Sequence, residues 1–447
     1  MILRKNIDST NIHERRGVII LDFLSFLQRA VSPFHAVQAG AELLHEADFV
    51  ELDPREAWHL QPGKKYLVRV FDSTLVAFRI GEDPRAHLHI ATAHTDFPCL
   101  RVKPSAVIAA KGYGTLNVEV YGGMIRSSWL DRPLSLAGKV VLAGKDPYTP
   151  EVHLVDIGRP LLTIPHLAIH MNRKVNEGET LNPQKDMLPL FTMLGMSGSD
   201  DSKSAHDAFL DFLADECHLE RGRILSYELT AYPTDAPCRF GAKNEFLSAS
   251  RLDNMTSVYA CLEGLLHGES QNGIQCIALF DNEEVGSCTK QGADSFALPN
   301  ILMRLYSSLG YGQDAYFADL ARGFLLSLDV AHALHPNAPE KADPTNAPRL
   351  GGGVTIKAAC SQAYTGDAEA IAVTKALCKA HAIPYQMFLN RSDIRGGSTL
   401  GSMLTANMPM RAMDVGAAIL AMHSARETMG ADDQQALERL VTVFFSR

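Results

Sequence analysis

The sequence predicts an α/β protein: a mixed sheet covered by helices on both faces, with a β-rich domain inserted into it. Three observations carry this. The chain's 447 residues exceed what one ordinary core organises. From Asn244 to the C-terminus, helix-patterned and strand-patterned segments alternate. Between Phe97 and Gly241 the texture changes to short alternating strands punctuated by glycine. The predicted division is a main domain of residues 1–96 plus 242–447 and an insertion of residues 97–241.

The elements follow in order. Residues 17–30 have the spacing of an amphipathic helix. Ser32 and Pro33 read as N-cap and first turn of a second helix, running to about His45. "KYLVRVF" and "TLVAFRIG" flank a turn at Asp72–Ser73 and predict a hairpin, and "AHLHIATAHTD" predicts a strand ending in polar residues. Inside the insertion, "GTLNVEVYGG", "SLAGKVVLAG" and "EVHLVDIG" read as strands, with one helix at "SAHDAFLDFLADECHL". Beyond it, "NMTSVYACLEGLLHG" predicts a helix, "GIQCIALF" a buried strand and "SFALPNILMRLYSSLG" a helix. "GFLLSLDV" and "GGVTIKAAC" predict strands, "TGDAEAIAVTKALCKAHA" a helix, "IPYQMFLN" a strand and "DDQQALERLVTVFF" a closing helix.

Composition excludes several classes. With 46% hydrophobic and 21% charged residues the chain reads as soluble and globular. A net charge of −9 argues against a nucleic-acid partner. No apolar run reaches membrane-spanning length, and "GVIILDFLSFL" is interrupted by Asp22 with no small-residue cleavage site after it. Eight scattered cysteines without a C-x-x-C pair predict neither a disulfide framework nor a cysteine zinc site. The expected setting is a reducing cytoplasm, and any metal would be held by carboxylates and imidazoles.

In open α/β sheets, active groups gather beyond the carboxyl ends of the strands. His94 and Asp96 follow "AHLHIATA". Asp281, Glu283 and Glu284 follow "IQCIALF", and Asp329 follows "FLLSL" with His332 and His335 close behind. Asp253 precedes a helix, and His423 follows an apolar run in "ILAMHSARE". These are ligand types that zinc, manganese and cobalt accept. Each also has an ordinary reading: Asp253 as an N-cap, Glu283 and Glu284 as a solvated loop, His423 as a core histidine. Together they form a pattern that no single one does. Pro336 and Asn337 argue for a turn after His335, so His332 is expected behind the ligands and His335 in a structural role.

"ATAHTDFPCLRVKP", "SRLDNMTSVYACLEG", "FDNEEVGS", "SLDVAHALHPN", "GGGVTIK" and "AMHSARE", in that order, resemble the aspartyl aminopeptidase family of dinuclear zinc exopeptidases. "SPFHAV" and "TIPHLAIHMNR" are similar to it too. The resemblance implies that Asp253 bridges two zinc ions, with manganese or cobalt as substitutes. It implies that His94 and Asp329 complete one site, and Glu284 and His423 the other. Asp96 would accept the hydrogen bond that fixes the His94 tautomer, and Glu283 would be the general base. The second metal would hold the free α-amino group of a peptide. Lys357, with Tyr364 nearby, would receive an acidic N-terminal side chain. His166 and His170 lie in the insertion, and His170 is expected to reach a neighbouring copy's active site in a dodecamer assembled through the inserted domain. Two other readings stand beside this one: a metal-dependent deacylase or carboxypeptidase of related fold, and a non-catalytic assembly or cargo protein that keeps the metals as structure.

Overall fold

A computed structural model describes residues 22–178, 180–194, 202–394 and 396–447. Its largest sheet has nine strands, in the order Val50–Glu51, Lys65–Val70, Thr74–Ile80, Ile274–Phe280, Leu88–His94, Phe324–Leu328, Arg411–Gly416, Val354–Lys357 and Tyr385–Phe388. The middle four run parallel. Their carboxyl ends therefore share one edge of the sheet, and Phe280 stands in register with His94.

Side chains alternate across the sheet and feed two cores. Ile277 and Leu279 join the cluster packed by Val37, Met255, Leu262, Leu377 and Leu437. Cys276, Ala278 and Phe280 join the opposite one, packed by Leu298, Leu302, Tyr316 and Leu404. All seven residues of Ile274–Phe280 are buried, as expected of a strand covered on both faces. The predicted two-sided helical cover is therefore present.

Local signals placed the helix starts well. The Ser32 side chain accepts the His35 N–H, with Pro33 in the first turn of Pro33–Glu46. The first helix is Phe23–Arg29, and the part of its prediction before residue 22 lies outside the described residues. Two helices were not anticipated, Gln313–Arg322 and Leu400–Asn407, nor was the strand Arg411–Gly416.

The segment after Phe97 builds a six-stranded sheet ordered Glu151–Asp156, Leu134–Leu142, Ile224–Pro233, Cys99–Ala110, Tyr113–Tyr121 and Leu190–Met193. A third sheet, not anticipated, has the order Cys238–Phe240, Phe246–Ala249, Glu427–Gly430, Ala418–Leu420 and Ala331–His332. Cys238–Phe240 thus pairs with residues beyond 241. All eight cysteines are free thiols. Among the described residues, no helix is long and apolar enough to cross a membrane.

Candidate metal centre

The parallel strand ends deliver three of the acids and one imidazole. His94 is the last residue of its strand, Asp329 follows Leu328, and Glu283–Val285 form a short 3-10 turn beyond Phe280. The third sheet delivers the rest. Asp253 lies just beyond Phe246–Ala249, where a chain with non-helical dihedrals at Asp253 and Asn254 enters the helix. His423 sits between Ala418–Leu420 and Glu427–Gly430.

Asp253 faces two imidazoles with different oxygens. Its Oδ1 lies 3.3 Å from His94 Nε2, and its Oδ2 lies 3.4 Å from His423 Nε2. His94 Nε2 is 3.7 Å from Asp329 Oδ1, and His423 Nε2 is 3.5 Å from Glu284 Oε2. Ligands about 2.0–2.1 Å from a tetrahedral zinc stand about 3.3–3.4 Å from one another. These spacings therefore suit the edges of coordination polyhedra. Two ligand groups result, His94–Asp253–Asp329 and Asp253–Glu284–His423, each with donor atoms within 4.8 Å of one another. A third grouping, His94–Glu283–Glu284, puts Glu283 beside them. Asp253 Oδ1 and Glu284 Oε1 are buried without a hydrogen-bond partner. Buried orphans of this kind fit a cation between them.

Electrostatics point the same way. Burial pushes the Glu283 carboxyl up to about 8, and burial together with Asp253 pushes Glu284 up as well. Burial opposes charge on the imidazoles, but Asp253, Asp329 and Asp96 hold His94 well above its ordinary value. Asp253 and Glu284 likewise outweigh burial at His423 and raise it to about 10. So many crowded acids hold protons unless a cation replaces them.

Both imidazoles are aimed by main-chain carbonyls: His94 Nδ1 lies 3.0 Å from the Asp96 carbonyl oxygen, and His423 Nδ1 lies 3.1 Å from that of Gly123. The Asp96 carboxylate also lies beside the His94 ring, with one oxygen 3.4 Å from His94 Nδ1. It accepts the N–H groups of Glu283 and Glu284, both at 3.1 Å, and the Tyr121 hydroxyl at 2.6 Å. Tyr121 comes from the six-stranded sheet and was not anticipated. Asp281 holds the turn itself, accepting the Asn282 N–H at 2.8 Å.

These groups open into a cavity of about 470 Å³, which His332, Lys357, Tyr364, Phe388 and Met422 also line. Lys357 Nζ donates to the Val330 carbonyl at 2.9 Å and reaches Asp329 Oδ2 at 3.3 Å. It also lies over the Tyr364 ring, 4.7 Å from its centroid. His335 accepts the Asn337 N–H in an exposed turn. His166 pairs with Asp131 at 2.6 Å. His170 is exposed in a turn of the inserted segment and is not among the described residues that line the cavity.

Comparison with known proteins gives a consistent result. The family model for aminopeptidase I zinc metalloproteases (M18) matches residues 26–445. A probable M18 family aminopeptidase 2 of Clostridium novyi (strain NT) is 42% identical over 415 residues, covering 92% of this chain and 95% of that protein. A chain in the cryo-EM structure of the Ape4 and Nbr1 complex superposes with a TM-score of 0.91 at 34% identity, over 95% of this chain and 85% of that one. The mApe1 dodecamer of S. cerevesiae shares the fold, with a TM-score of 0.80 at 24% identity over 95% of each chain.

Proposed function

The chain belongs to the aminopeptidase I zinc metalloprotease (M18) family, and from that premise we propose a dinuclear zinc aminopeptidase with Glu283 as general base. Family membership decides against the deacylase, carboxypeptidase and non-catalytic readings. The observation that carries the two-ion reading is Asp253, whose two oxygens face different histidines. In this reading His94 and Asp329 would hold one ion and Glu284 and His423 the other, with Asp253 shared by both groups. Manganese and cobalt suit the same ligands. Bound zinc supplies Lewis acidity, which acidifies a water molecule and polarises the scissile carbonyl.

The residues then divide the work. Glu283 stands beside both ligand groups without belonging to either, which suits a group that takes a proton from water and passes it to the leaving amine. Asp96 positions Glu283 and Glu284 through their N–H groups. The preferred N-terminal residue in this proposal is Asp or Glu. Burial would lower the Lys357 pKa, but Asp329 and Asp414 more than offset that, so the ammonium stays charged. Its 3.3 Å contact with Asp329 is long enough to be shared with a substrate carboxylate. Tyr364 closes that side.

We further propose that residues 97–241 form an oligomerisation domain and that the assembly is a dodecamer in the cytoplasm. The dodecameric fold relative supports this, as does the exposure of His170, which is free to act in a neighbouring copy's cavity. An oxyanion donor of this kind is worth about 3–4 kcal/mol.

The test is hydrolysis of Asp-, Glu-, Leu- and Lys-aminoacyl substrates with zinc, manganese and cobalt in turn. Asp and Glu substrates should turn over fastest, and Lys357→Met should erase their advantage over Leu. A wild-type preference for Leu or Lys would remove the acidic-pocket assignment.

A further inference from the structure

Asp253 and His423 lie 170 residues apart in sequence, and neither is held where it is by a favourable local backbone. His423 itself has φ +67°, and Arg251, two residues before Asp253, has φ +64°. Both are left-handed conformations that residues with a side chain rarely adopt. Something must hold these two turns against each other if the ligands are to keep their spacing.

Glu427 is placed to do so. It pairs with Ala249 across the third sheet, at the foot of the turn that carries Asp253. Its side chain is buried, with 2% exposure. Oε2 accepts the main-chain N–H of Asp253 at 3.0 Å, and Oε1 accepts that of His423 at 2.8 Å. Both oxygens accept backbone donors, and Glu427 belongs to none of the ligand groups. Both distances are those of ordinary N–H···O hydrogen bonds. A neutral amide could not replace them, since it offers one acceptor oxygen where two N–H groups converge.

We propose that Glu427 is a positioning residue that sets the distance between Asp253 and His423, and so tunes the affinity of the Asp253–Glu284–His423 group for its cation. It mirrors Asp96, which accepts the N–H groups of Glu283 and Glu284 from the opposite side. Two buried carboxylates thereby brace the four acids and imidazoles nearest the His423 group through main-chain hydrogen bonds. This inference rests on the two-ion reading.

The test is titration of metal-free protein with cobalt, followed by visible absorption, in wild type, Glu427→Gln and His423→Ala. Two binding steps in wild type check the two-ion reading on their own. His423→Ala identifies which step belongs to its group. In Glu427→Gln that same step should weaken about 10- to 100-fold, with an altered cobalt spectrum, while the other step changes less. Should Glu427→Gln not fold, Glu427→Asp, one methylene too short to span both donors, is read the same way. Wild-type affinities and spectrum in a folded variant would overturn the proposal. So would equal weakening of both steps together with a lower melting temperature of the metal-free protein, or failure of both variants to fold, since either would make Glu427 a general folding residue.

Discussion

At the residue scale, the chemistry of the centre depends on acids and imidazoles that cannot all be charged at once in a buried space. That condition has a measurable consequence. The pKa values of His94 and His423 are raised, as is that of Glu284, so near pH 7 the metal-free cluster holds protons that metal ligands cannot keep. Zinc binding should therefore release protons, and apparent affinity should rise with pH until the raised pKa values are passed. Calorimetric zinc titrations in buffers of different ionisation enthalpy measure the release directly, and zero net release at neutral pH would contradict these shifts. Most of the candidate ligands stand out in the sequence because they lie where an apolar run gives way to polar residues, and Asp253 because it precedes a helix. Glu427 and Tyr121 do not. A buried carboxylate bound to main-chain N–H groups, or a hydroxyl reaching it from another sheet, leaves no periodicity and no spacing to read.

At the scale of elements, long buried strands and capped helices announced themselves, and short ones did not. Ile274–Phe280 is seven residues of which all but Gln275 are apolar, and Ser32–Pro33 is a capped helix start. By contrast, Ala331–His332 is a two-residue strand and Ala418–Leu420 a three-residue one. Neither is long enough to show an alternation, so the third sheet, which places Asp253 and His423, emerges only from long-range pairing. The close approach of elements offers a second prediction. A Cβ added at Gly416 would lie 1.9 Å from the Asp329 carbonyl oxygen, while the Asp329 N–H bonds the neighbouring Val415 carbonyl at 2.9 Å. Gly416→Ala must therefore push the end of Phe324–Leu328 outward. It should cost about 1–3 kcal/mol of stability and weaken metal binding at His94–Asp253–Asp329. Thermal melting and cobalt titration of this variant check both, and an unchanged affinity would show that the strand end does not set the ligand's position.

At the scale of the whole molecule, strand–helix alternation was enough to anticipate one sheet covered on both faces with a β-rich segment interrupting it. The order of the nine strands was not, because neighbours such as Leu88–His94 and Ile274–Phe280 pair although they lie 186 residues apart in sequence. The proposed assembly belongs to this scale as well. If His170 acts in a neighbouring copy's cavity, light scattering of the active protein should report a large oligomer. Co-assembly of His170→Phe chains with inactive Glu283→Gln chains that keep their own His170 should then restore part of the turnover that each lacks alone. A stable, fully active monomer would contradict both the assembly and the role of His170.

The central claim is that Glu283 moves the proton while its neighbour Glu284 holds a metal. The most direct measurement is zinc content and peptide turnover of Glu283→Gln in the same preparation. Two zinc ions per chain and turnover reduced by at least about 100-fold are expected. Full turnover in this variant, or loss of one zinc ion with the change, would contradict that claim.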